Sequence, residues 1–381
     1  MMRVLNVLPV LDFREGGPIR STIDLSVGAI GSALRSEIVG LGPLNVPDNG
    51  LPAELFHVIP YRRPNVYRYS KDFGSWLDRN VSSFDGVVIH GMWHYPGWAA
   101  HLACQKHGVR YACFPHGMLD PWAITGQGVL KSIKKRMYWT LREKRIFDGA
   151  RGLLFASHRE MLNAYNVYPR LERTCRTVPY VVSPSGEESA IPATESLMQP
   201  RERKVMLFLG RVHPKKNLPF LLRAWAAAAP PPAWHLVIAG PVDEGYKRDL
   251  ERLIEQLRME SCVSFVGAVT GKDKSYLLHR AEWFVLPSFQ ENFAIAALEA
   301  LYARCPVVLS DQVQIGDALH EESEILPLRL EPWVEFLKTR MTDSAWREHL
   351  IERDAQDVLT RFSTSRITTE WISSLLSLFA C

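Results

Sequence analysis

Short apolar segments that alternate with helical segments are the feature that most constrains the fold of this chain. In both halves, runs of β-branched and aromatic residues precede amphipathic or Ala/Leu-rich stretches. This alternation is typical of βαβ units, whose strands are parallel. The predicted strands are Val4–Leu8, Glu37–Gly40, Val87–His90, Tyr111–Phe114, Leu153–Ala156, Val178–Val182, Val205–Leu209, His235–Ala239, Val263–Val266, Trp283–Leu286 and Val307–Leu309. The sequence therefore predicts an α/β protein with two doubly wound, Rossmann-like sheets.

The length of 381 residues suits two domains better than one core. Residues 183–202 are polar, rich in Pro, Ser and Glu, and aperiodic, so they are predicted to be a linker. They separate an N-terminal domain (1–182) from a C-terminal domain (203–362), and residues 363–381 are predicted to form a terminal helix. Ligands of doubly wound sheets bind beyond the carboxyl ends of the strands, so we expect a catalytic cleft where two such sheets face one another.

Composition excludes several classes of protein. The chain is 47% hydrophobic and 23% charged, as soluble globular proteins are, and its net charge of +4 is small for a dedicated nucleic-acid binder. No apolar run approaches the roughly 20 residues of a membrane span, and the short apolar run at the N-terminus is typical of a first strand rather than a signal peptide. We therefore expect a cytoplasmic protein that binds no nucleic acid.

Neither metal nor nicotinamide chemistry is indicated. The six cysteines are scattered, without a CxxC pair or a His/Cys cluster at zinc spacing, so we expect reduced thiols and no metal site. Neither half has a GxGxxG sequence after its first strand, which disfavours a dehydrogenase.

Two glutamates lie eight residues apart where an apolar strand runs into a helix. Pro287 and Ser288 break the strand, and an Ala/Leu/Glu-rich pattern follows, which places Glu291 at the helix N-terminus and Glu299 within the helix. At 1.5 Å per residue they would lie roughly 12 Å apart, too far to share a metal but suited to hold two parts of one extended polar ligand. The helix start also favours phosphate. The alternative is a helix start stabilised by its dipole, with Glu299 solvated.

A cationic segment follows the predicted strand Val205–Leu209. Gly210 ends the strand, and Arg211, Lys215 and Lys216 precede the next helix. Fixed cations at a strand's carboxyl edge suit a diphosphate, because they neutralise charge on a leaving phosphate without reacting. The alternative is a solvated basic loop.

Taken together, these segments resemble the retaining nucleotide-sugar glycosyltransferases of the GT-B fold, specifically glycosyltransferase family 4 (glycosyl transferases group 1). The matching residues are Gly210-Arg211 with Lys216, the turn Pro287-Ser288, the pair Glu291 and Glu299, and Pro306-Val307-Val308. The resemblance implies that Arg211 and Lys216 grip the diphosphate of a UDP- or GDP-sugar. It further implies that Glu291 holds sugar hydroxyls and Glu299 the ribose, and that the terminal helix packs back on the N-terminal domain.

The same resemblance places backbone groups at the donor. The residues concerned are Asn292, Phe293 and Ala294 near the phosphates and sugar, and Val266 and Gly267 near the base. Family members usually carry glycine on both sides of this phenylalanine, where the chain has Asn292 and Ala294. Arg304 stands where the family commonly ends its helix with a glycine, a position that favours a positive φ. These departures concern the fine contacts of the donor more than its class.

Two features of the N-terminal half are expected to face the donor. Gly16-Gly17-Pro18 follows the first strand and opens a helix, where glycines allow backbone N–H groups to approach a phosphate, although a plain turn is the alternative. His116, after the fourth predicted strand, matches in position a histidine that the family places beside the donor sugar. The alternative for an isolated histidine is a structural role.

The loop after Val87–His90 carries candidate acceptor contacts. His90 ends this strand, and Trp93 could stack on a sugar ring. Buried scaffold is the alternative for the tryptophan. Residues 131–145 mix lysine and arginine with apolar and aromatic residues, which predicts either a peripheral helix on the anionic inner face of the plasma membrane or a solvated basic face over a buried stripe. The membrane contact suits a lipid-linked acceptor.

The function that these residues and the resemblance indicate is transfer of a hexose-type sugar from a nucleoside diphosphate to an acceptor hydroxyl. The resemblance further implies retention and a place in synthesis of a bacterial surface or exported polysaccharide or glycolipid. Arg211, Lys216, Glu291 and His116 are the expected catalytic residues. The resemblance implies same-face attack, with the leaving phosphate accepting the acceptor's proton. The alternatives are a nucleotide-sugar epimerase of similar fold and a non-catalytic carbohydrate- or nucleotide-binding protein.

Overall fold

The computed structural model describes residues 1–12, 16–43, 51–61, 65–121, 129–168, 174–182, 203–314 and 324–380. The chain divides into two compact units, one formed by Met1–Val181 with Phe362–Cys381 and the other by Val182–Arg361. The predicted linker, 183–202, lies outside the described residues.

The first unit contains a parallel sheet in the order β3-β2-β1-β4-β5-β6-β7. Its strands are β1 (Met2–Val7), β2 (Leu34–Gly42), β3 (Phe56–Pro60), β4 (Gly86–His90), β5 (Tyr111–Phe114), β6 (Gly152–Phe155) and β7 (Thr174–Thr177). Its helices are α1 (Gly17–Gly28), α2 (Lys71–Asn80), α3 (Tyr95–His107), α4 (Val129–Tyr138), α5 (Lys144–Gly149), α6 (His158–Val167) and α13 (Thr364–Phe379), with a π-helical turn at Trp139–Glu143. The strands alternate with helices as predicted.

The second unit contains a parallel sheet in the order β10-β9-β8-β11-β12-β13. Its strands are β8 (Lys204–Leu209), β9 (Trp234–Ala239), β10 (Val263–Gly267), β11 (Ala281–Leu286), β12 (Val307–Ser310) and β13 (Glu324–Leu326). Its helices are α7 (Leu218–Ala228), α8 (Glu244–Gln256), α9 (Gly271–Arg280), α10 (Ile295–Tyr302), α11 (Leu330–Lys338) and α12 (Ser344–Arg361). Both sheets are doubly wound, which confirms the predicted fold class.

One predicted strand is wrong. Val178–Val182 is buried but forms no strand, and the edge strand β7 lies just before it at Thr174–Thr177. Pro179 interrupts the apolar run, and a proline cannot donate to a strand ladder. The segment is instead held by single contacts, in which Val178 N–H donates to the Phe155 carbonyl (2.8 Å) and Val181 N–H donates to Ser21 Oγ (3.1 Å).

The terminal helix α13 packs on the first unit. Trp371, Leu375 and Leu378 of this helix are buried. Close packing depends on small partners, because a side chain at Gly152 would lie 2.5 Å from a Leu378 methyl carbon, and one at Gly28 would lie 2.6 Å from Thr368 Oγ1. No helix among the described residues has both the length and the apolar character needed to cross a membrane.

The strand order fixes where each unit can bind a ligand. In a doubly wound sheet the order in which successive strands are added reverses at one pair of neighbouring strands, and a crevice opens beyond their carboxyl ends. These pairs are β1 with β4 in the first unit and β8 with β11 in the second. The segments singled out from the sequence follow these four strands or their neighbours.

Candidate functional site

Lys216 folds back over the end of β8 in the second unit. Gly210 follows β8, and a single 3-10 turn at Pro214–Lys216 precedes α7. A side-chain carbon placed on Gly210 would lie 4.0 Å from Lys216 Nζ, so the ammonium group lies close to the backbone there. Arg211 is exposed beside it. Both cations predicted to grip a diphosphate therefore belong to the segment at the carboxyl edge of β8, and Lys216 reaches Glu291, which follows β11.

Glu291 is held in an ion pair with Lys216. The Nζ of Lys216 donates to Glu291 Oε2, and both side chains are only 17% exposed. Burial alone would raise the pKa of Glu291, but the positive charges of Lys216 and Lys215 outweigh it and hold this pKa below its usual range. Glu291 is thus an ionised hydrogen-bond acceptor at neutral pH, the state needed to accept hydrogen bonds from sugar hydroxyls.

The helix after Glu291 begins later than predicted. Glu291 N–H donates to the Gln312 carbonyl (3.3 Å), and its own carbonyl accepts from Gln314 N–H (3.0 Å), so Glu291 forms a β-bridge to Val313. This bridge keeps the backbone extended, and α10 starts only at Ile295. The predicted position of Glu291 at the helix N-terminus is therefore wrong. The estimate of roughly 12 Å for its separation from Glu299 assumed a continuous helix between the two, and the helix does not extend to Glu291.

Ala294 and Arg304 adopt the conformation that glycine favours. Ala294 caps α10 with φ 46°, and Arg304 follows it with φ 58°. Both lie in the left-handed region, which strains a residue with a side chain. Two of the three positions where the resembled family usually has glycine therefore keep a glycine-like backbone in this chain, despite the substitution; the third, Asn292, does not have a positive φ.

The loop between β11 and α10 contains buried amide groups without a hydrogen-bond partner among the described residues. They are Nδ2 and Oδ1 of Asn292 and Nε2 of Gln290. Burying such a group without a partner costs about 1–3 kcal/mol. Amides on both sides of Glu291 thus have no partner within the described part of the chain. Phe293, between Asn292 and Ala294, is buried.

Lys274 is a site residue that the sequence analysis missed. Its Nζ lies 2.5 Å from Glu299 Oε1, and Glu299 is buried within α10. Lys274 comes from α9, which precedes β11. Each predicted carboxylate, Glu291 and Glu299, therefore has a lysine partner from a different element. No sequence signal identified Lys274, because the chain has many lysines and the pairing depends on how α9 and α10 pack.

Gly240 is a second missed residue. A side-chain carbon there would overlap the carbonyl oxygen of Gly210 and lie 2.6 Å from its carbonyl carbon. Gly240 has φ 140°, and its N–H donates to the Gly267 carbonyl (2.6 Å). Gly267, with φ 74°, and the half-buried Val266 end β10. Three glycines thus lie at the ends of β8, β9 and β10. The absence of a side chain at Gly240 allows the backbone of Gly210 to approach it closely. The Gly-Pro pair after β9 was the available signal.

His90 and His116 of the first unit form one hydrogen-bonded chain. Asn6 donates through Nδ2 to Ser36 Oγ (2.8 Å), so its Oδ1 accepts from His90 Nε2 (3.1 Å). His90 Nδ1 and His116 Nε2 are 2.9 Å apart, and His116 Nδ1 lies 2.7 Å from Tyr180 Oη. Burial lowers the pKa of His90 to about 3 and that of His116 well below its usual range. Both rings are therefore neutral, with hydrogens on their Nε2 atoms and with Tyr180 donating to His116.

The hydrogen bonds to His90 and Tyr180 occupy both ring nitrogens of His116. The predicted contact of His116 with the donor sugar remains a prediction, and it would require a nitrogen to exchange its present partner. His90 is buried, so its predicted acceptor role would likewise require exposure. Gly16 and Gly17 open α1 as predicted, with Gly16 at φ 114°.

The paired histidines give stability a defined pH dependence. Replacement of His90 by glutamine keeps a donor for Asn6 and an acceptor for His116 but removes the titrating group. As pH falls from 6.5 towards 3, unfolded His90 gains a proton that the folded protein excludes, so His90 by itself lowers the unfolding free energy by about 1.4 kcal/mol per pH unit. Denaturant titrations between pH 7.5 and 5 should show this slope to be steeper in the wild type than in His90→Gln. Glu143 titrates oppositely but is common to both proteins. Equal slopes would contradict the assignment.

Trp93 packs beside the basic helix rather than standing free. Its backbone N–H donates to Glu143 Oε1 (2.8 Å), and its ring centre lies 5.7 Å from Lys135 Nζ. The half-buried ring also lies near Tyr138 and Trp139. Burial raises the pKa of Glu143 to about 7. The stacking of Trp93 on an acceptor remains a prediction.

Two family models match the chain. The model described as Glycosyl transferases group 1 matches residues 193–323, and the Glycosyl transferase 4-like domain matches residues 33–180. An uncharacterized glycosyltransferase of Methanocaldococcus jannaschii is 31% identical over 45% of this chain and 44% of its own length. The O-antigen chain mannosyltransferase B of Escherichia coli is 27% identical over 44% of each chain. The chain thus aligns with less than half the length of these relatives.

The fold as a whole is similar to solved structures. The crystal structure of HepE from Anabaena, in complex with UDP and glucose, superposes with a TM-score of 0.76. The superposition covers 99% of this chain and all of that one, at 14% sequence identity. At this identity the similarity defines the fold alone.

Proposed function

We propose, from the premise that this chain belongs to the glycosyl transferases group 1 and has the GT-B fold, that it transfers a hexose-type sugar from a nucleoside diphosphate to an acceptor hydroxyl. The observation that carries the proposal is the crevice beyond β8 and β11. There the Lys216–Glu291 ion pair lies beside the buried amides of Gln290 and Asn292, which have atoms without a hydrogen-bond partner in the described ranges of the chain. A ligand with a diphosphate and several hydroxyls supplies partners for both charges and amides.

Each group has a role in this proposal. Lys216 and Arg211 neutralise the charge that develops on the departing diphosphate, and a fixed cation does so without reorganisation during the reaction. Glu291, ionised and oriented by Lys216, accepts hydrogen bonds from hydroxyls of the transferred sugar. Glu299, oriented by Lys274, accepts those of the ribose.

The proposed stereochemical course is retention. The acceptor hydroxyl attacks the face of the sugar from which the diphosphate departs, and a phosphate oxygen of the leaving group takes its proton. The bond from the anomeric carbon to the phosphate oxygen breaks as the bond to the acceptor oxygen forms. Lys216 and Arg211 stabilise the separated charge, and Glu291 keeps the sugar in place.

The relatives support a hexose donor and a place in polysaccharide synthesis. One is named an O-antigen chain mannosyltransferase, and HepE binds UDP and glucose in its crystal structure. We infer a UDP- or GDP-hexose for this chain and a carbohydrate or lipid-linked acceptor. We also propose a place in synthesis of a bacterial surface polysaccharide or glycolipid, which the name of the first of these relatives supports.

Thermal unfolding against a panel of nucleotides tests the proposal. We expect UDP or GDP, and a corresponding sugar nucleotide, to raise the melting temperature by about 5 °C or more near 100 times the dissociation constant, because the ligand binds only the folded protein. Lys216→Met should lose the shift. Lys247→Met, which removes a partly exposed lysine whose Nζ is 3.6 Å from Glu251, should keep it. No shift with any nucleoside diphosphate or its sugar would overturn the proposal.

A further inference from the structure

An outward-facing apolar stripe runs along α4 and the π-helical turn that follows it. Its residues are Ile133, Met137 and Leu141, which are 51%, 61% and 59% exposed. A spacing of four residues places them on one side of the helix. A surface helix of a soluble protein normally turns its apolar stripe towards the core, so this stripe faces the wrong way for a fully solvated helix.

The apolar surface continues onto the loop before α2. Val66 is 94% exposed, and Tyr69 is also exposed. Tyr67, between them, is tied to the helix segment, because Tyr138 Oη donates to Tyr67 Oη (2.9 Å) and the Arg142 guanidinium lies 5.4 Å from the Tyr67 ring centre. The loop and the helix therefore present one surface.

The charge of this segment is strongly positive. Residues 129–145 contain seven lysines and arginines and one carboxylate, a net charge of +6, whereas the whole chain carries +4. The single carboxylate, Glu143, is buried and accepts from Trp93 N–H. Arg136, next to Met137, is exposed. The solvent-facing side of the segment thus combines aliphatic side chains with cations and presents no carboxylate of its own.

We propose that this surface docks the protein onto an anionic lipid bilayer. Aliphatic side chains enter the acyl boundary while lysines and arginines contact the headgroups, the arrangement of helices that lie in a membrane interface. Single-stranded RNA is a poorer candidate for the bound partner. Sites that bind single-stranded RNA stack its bases on aromatic rings, and exposed Ile, Met and Leu do not contribute to such stacking. A second copy is also disfavoured, since a two-fold contact would bring two segments of charge +6 together.

This surface lies close to a candidate acceptor contact. Trp93, a candidate acceptor contact, lies 5.7 Å from Lys135 of α4. A bilayer held against α4 brings membrane lipids near this loop, so we infer a lipid-linked acceptor. This last step rests on the proposed function, whereas the docking itself does not.

Co-sedimentation with vesicles tests the docking. The full chain should bind vesicles that contain phosphatidylglycerol and not those of phosphatidylcholine alone, and added salt should weaken binding. Met137→Glu/Leu141→Glu should weaken binding at least about 10-fold, because charged side chains cannot enter the acyl boundary. The matched control is Leu102→Glu/Leu162→Glu, which alters two leucines of the same unit that are each 49% exposed. It should bind as the wild type does.

The outcomes separate the two proposals. Both variants should keep the melting-temperature shift with a nucleoside diphosphate, which shows that they are folded and tests the proposed function independently. Equal vesicle binding by the two variants would overturn the docking, as would no binding by the wild type. A wild-type dimer that Met137→Glu/Leu141→Glu dissociates, or tighter binding to single-stranded RNA than to anionic vesicles, would also overturn it.

Discussion

Replacement of Lys216 by methionine is expected to lower the rate of sugar transfer by about 10²- to 10³-fold, the usual effect of removing one group that stabilises charge in a transition state. Stability should fall too, by about 2–4 kcal/mol, because Glu291 remains largely buried without its cation. Initial-rate kinetics and denaturant unfolding measure the two effects separately.

A double variant distinguishes the role of Lys216 in chemistry from its role in folding. Lys216→Met/Glu291→Met replaces both charges with apolar side chains, so stability should return to within about 1 kcal/mol of the wild type. Transfer should stay as low as in the single variant or fall further. If transfer recovered with stability, the ion pair would be structural and the proposed site would be wrong. Lys247→Met serves again as the control and should change neither quantity measurably.

Replacement of Gly240 by alanine is expected to destabilise the protein by more than about 3 kcal/mol and to abolish nucleotide binding. The added carbon would overlap the Gly210 carbonyl oxygen. Its three nearest neighbours would all be backbone atoms of Gly210 and Arg211, so no flexible side chain could move aside. The end of β8 must then move, together with Arg211 and the turn that carries Lys216. Denaturant unfolding and the melting-temperature shift with nucleoside diphosphate measure the two consequences.

Gly271→Ala is the matched control for the effect of Gly240→Ala. Gly271 also has a positive φ, 53°, but a side-chain carbon there would meet nothing within 4 Å. It should cost only the conformational strain of about 1–2 kcal/mol and should leave nucleotide binding intact. Equal losses at the two positions would show that strain rather than close approach explains the effect at Gly240.

The sequence predicted the fold well because buried parallel strands are continuous apolar runs. Val205–Leu209 and Trp283–Leu286 were recognised in this way, and both lie in the middle of their sheet. Three of the four edge strands have no strong apolar signal and were not predicted: β3 is only half-buried, β13 has three residues, and β7 is polar. The fourth edge strand, β10, was predicted as Val263–Val266.

The candidate site was predicted in part. A recognisable pattern of residue types and spacing identified Gly210, Lys216, Glu291 and Glu299. The structure places them on the elements around one sheet crevice. Their roles remain predictions. Lys274 and Gly240 were missed because they matter through contacts with residues far along the chain, and local sequence spacing does not predict such contacts.

The start of α10 shows a different limit. Local propensity favoured a helix from Glu291, yet backbone pairing with residues 312–314 holds Glu291 extended. A tertiary contact thus overrides propensity over four residues. The same contact separates the carboxylate from the helix, which lets Lys216 reach it.

Ligand-observed NMR of the sugar nucleotide that stabilises the protein tests the central claim most directly. In saturation-transfer spectra the wild type should contact both the ribose and the transferred sugar. Glu291→Gln should selectively weaken the signals of the sugar ring, and Glu299→Gln those of the ribose. Identical patterns in the wild type and both variants would contradict the account, because the nucleotide would then bind somewhere other than between these two carboxylates.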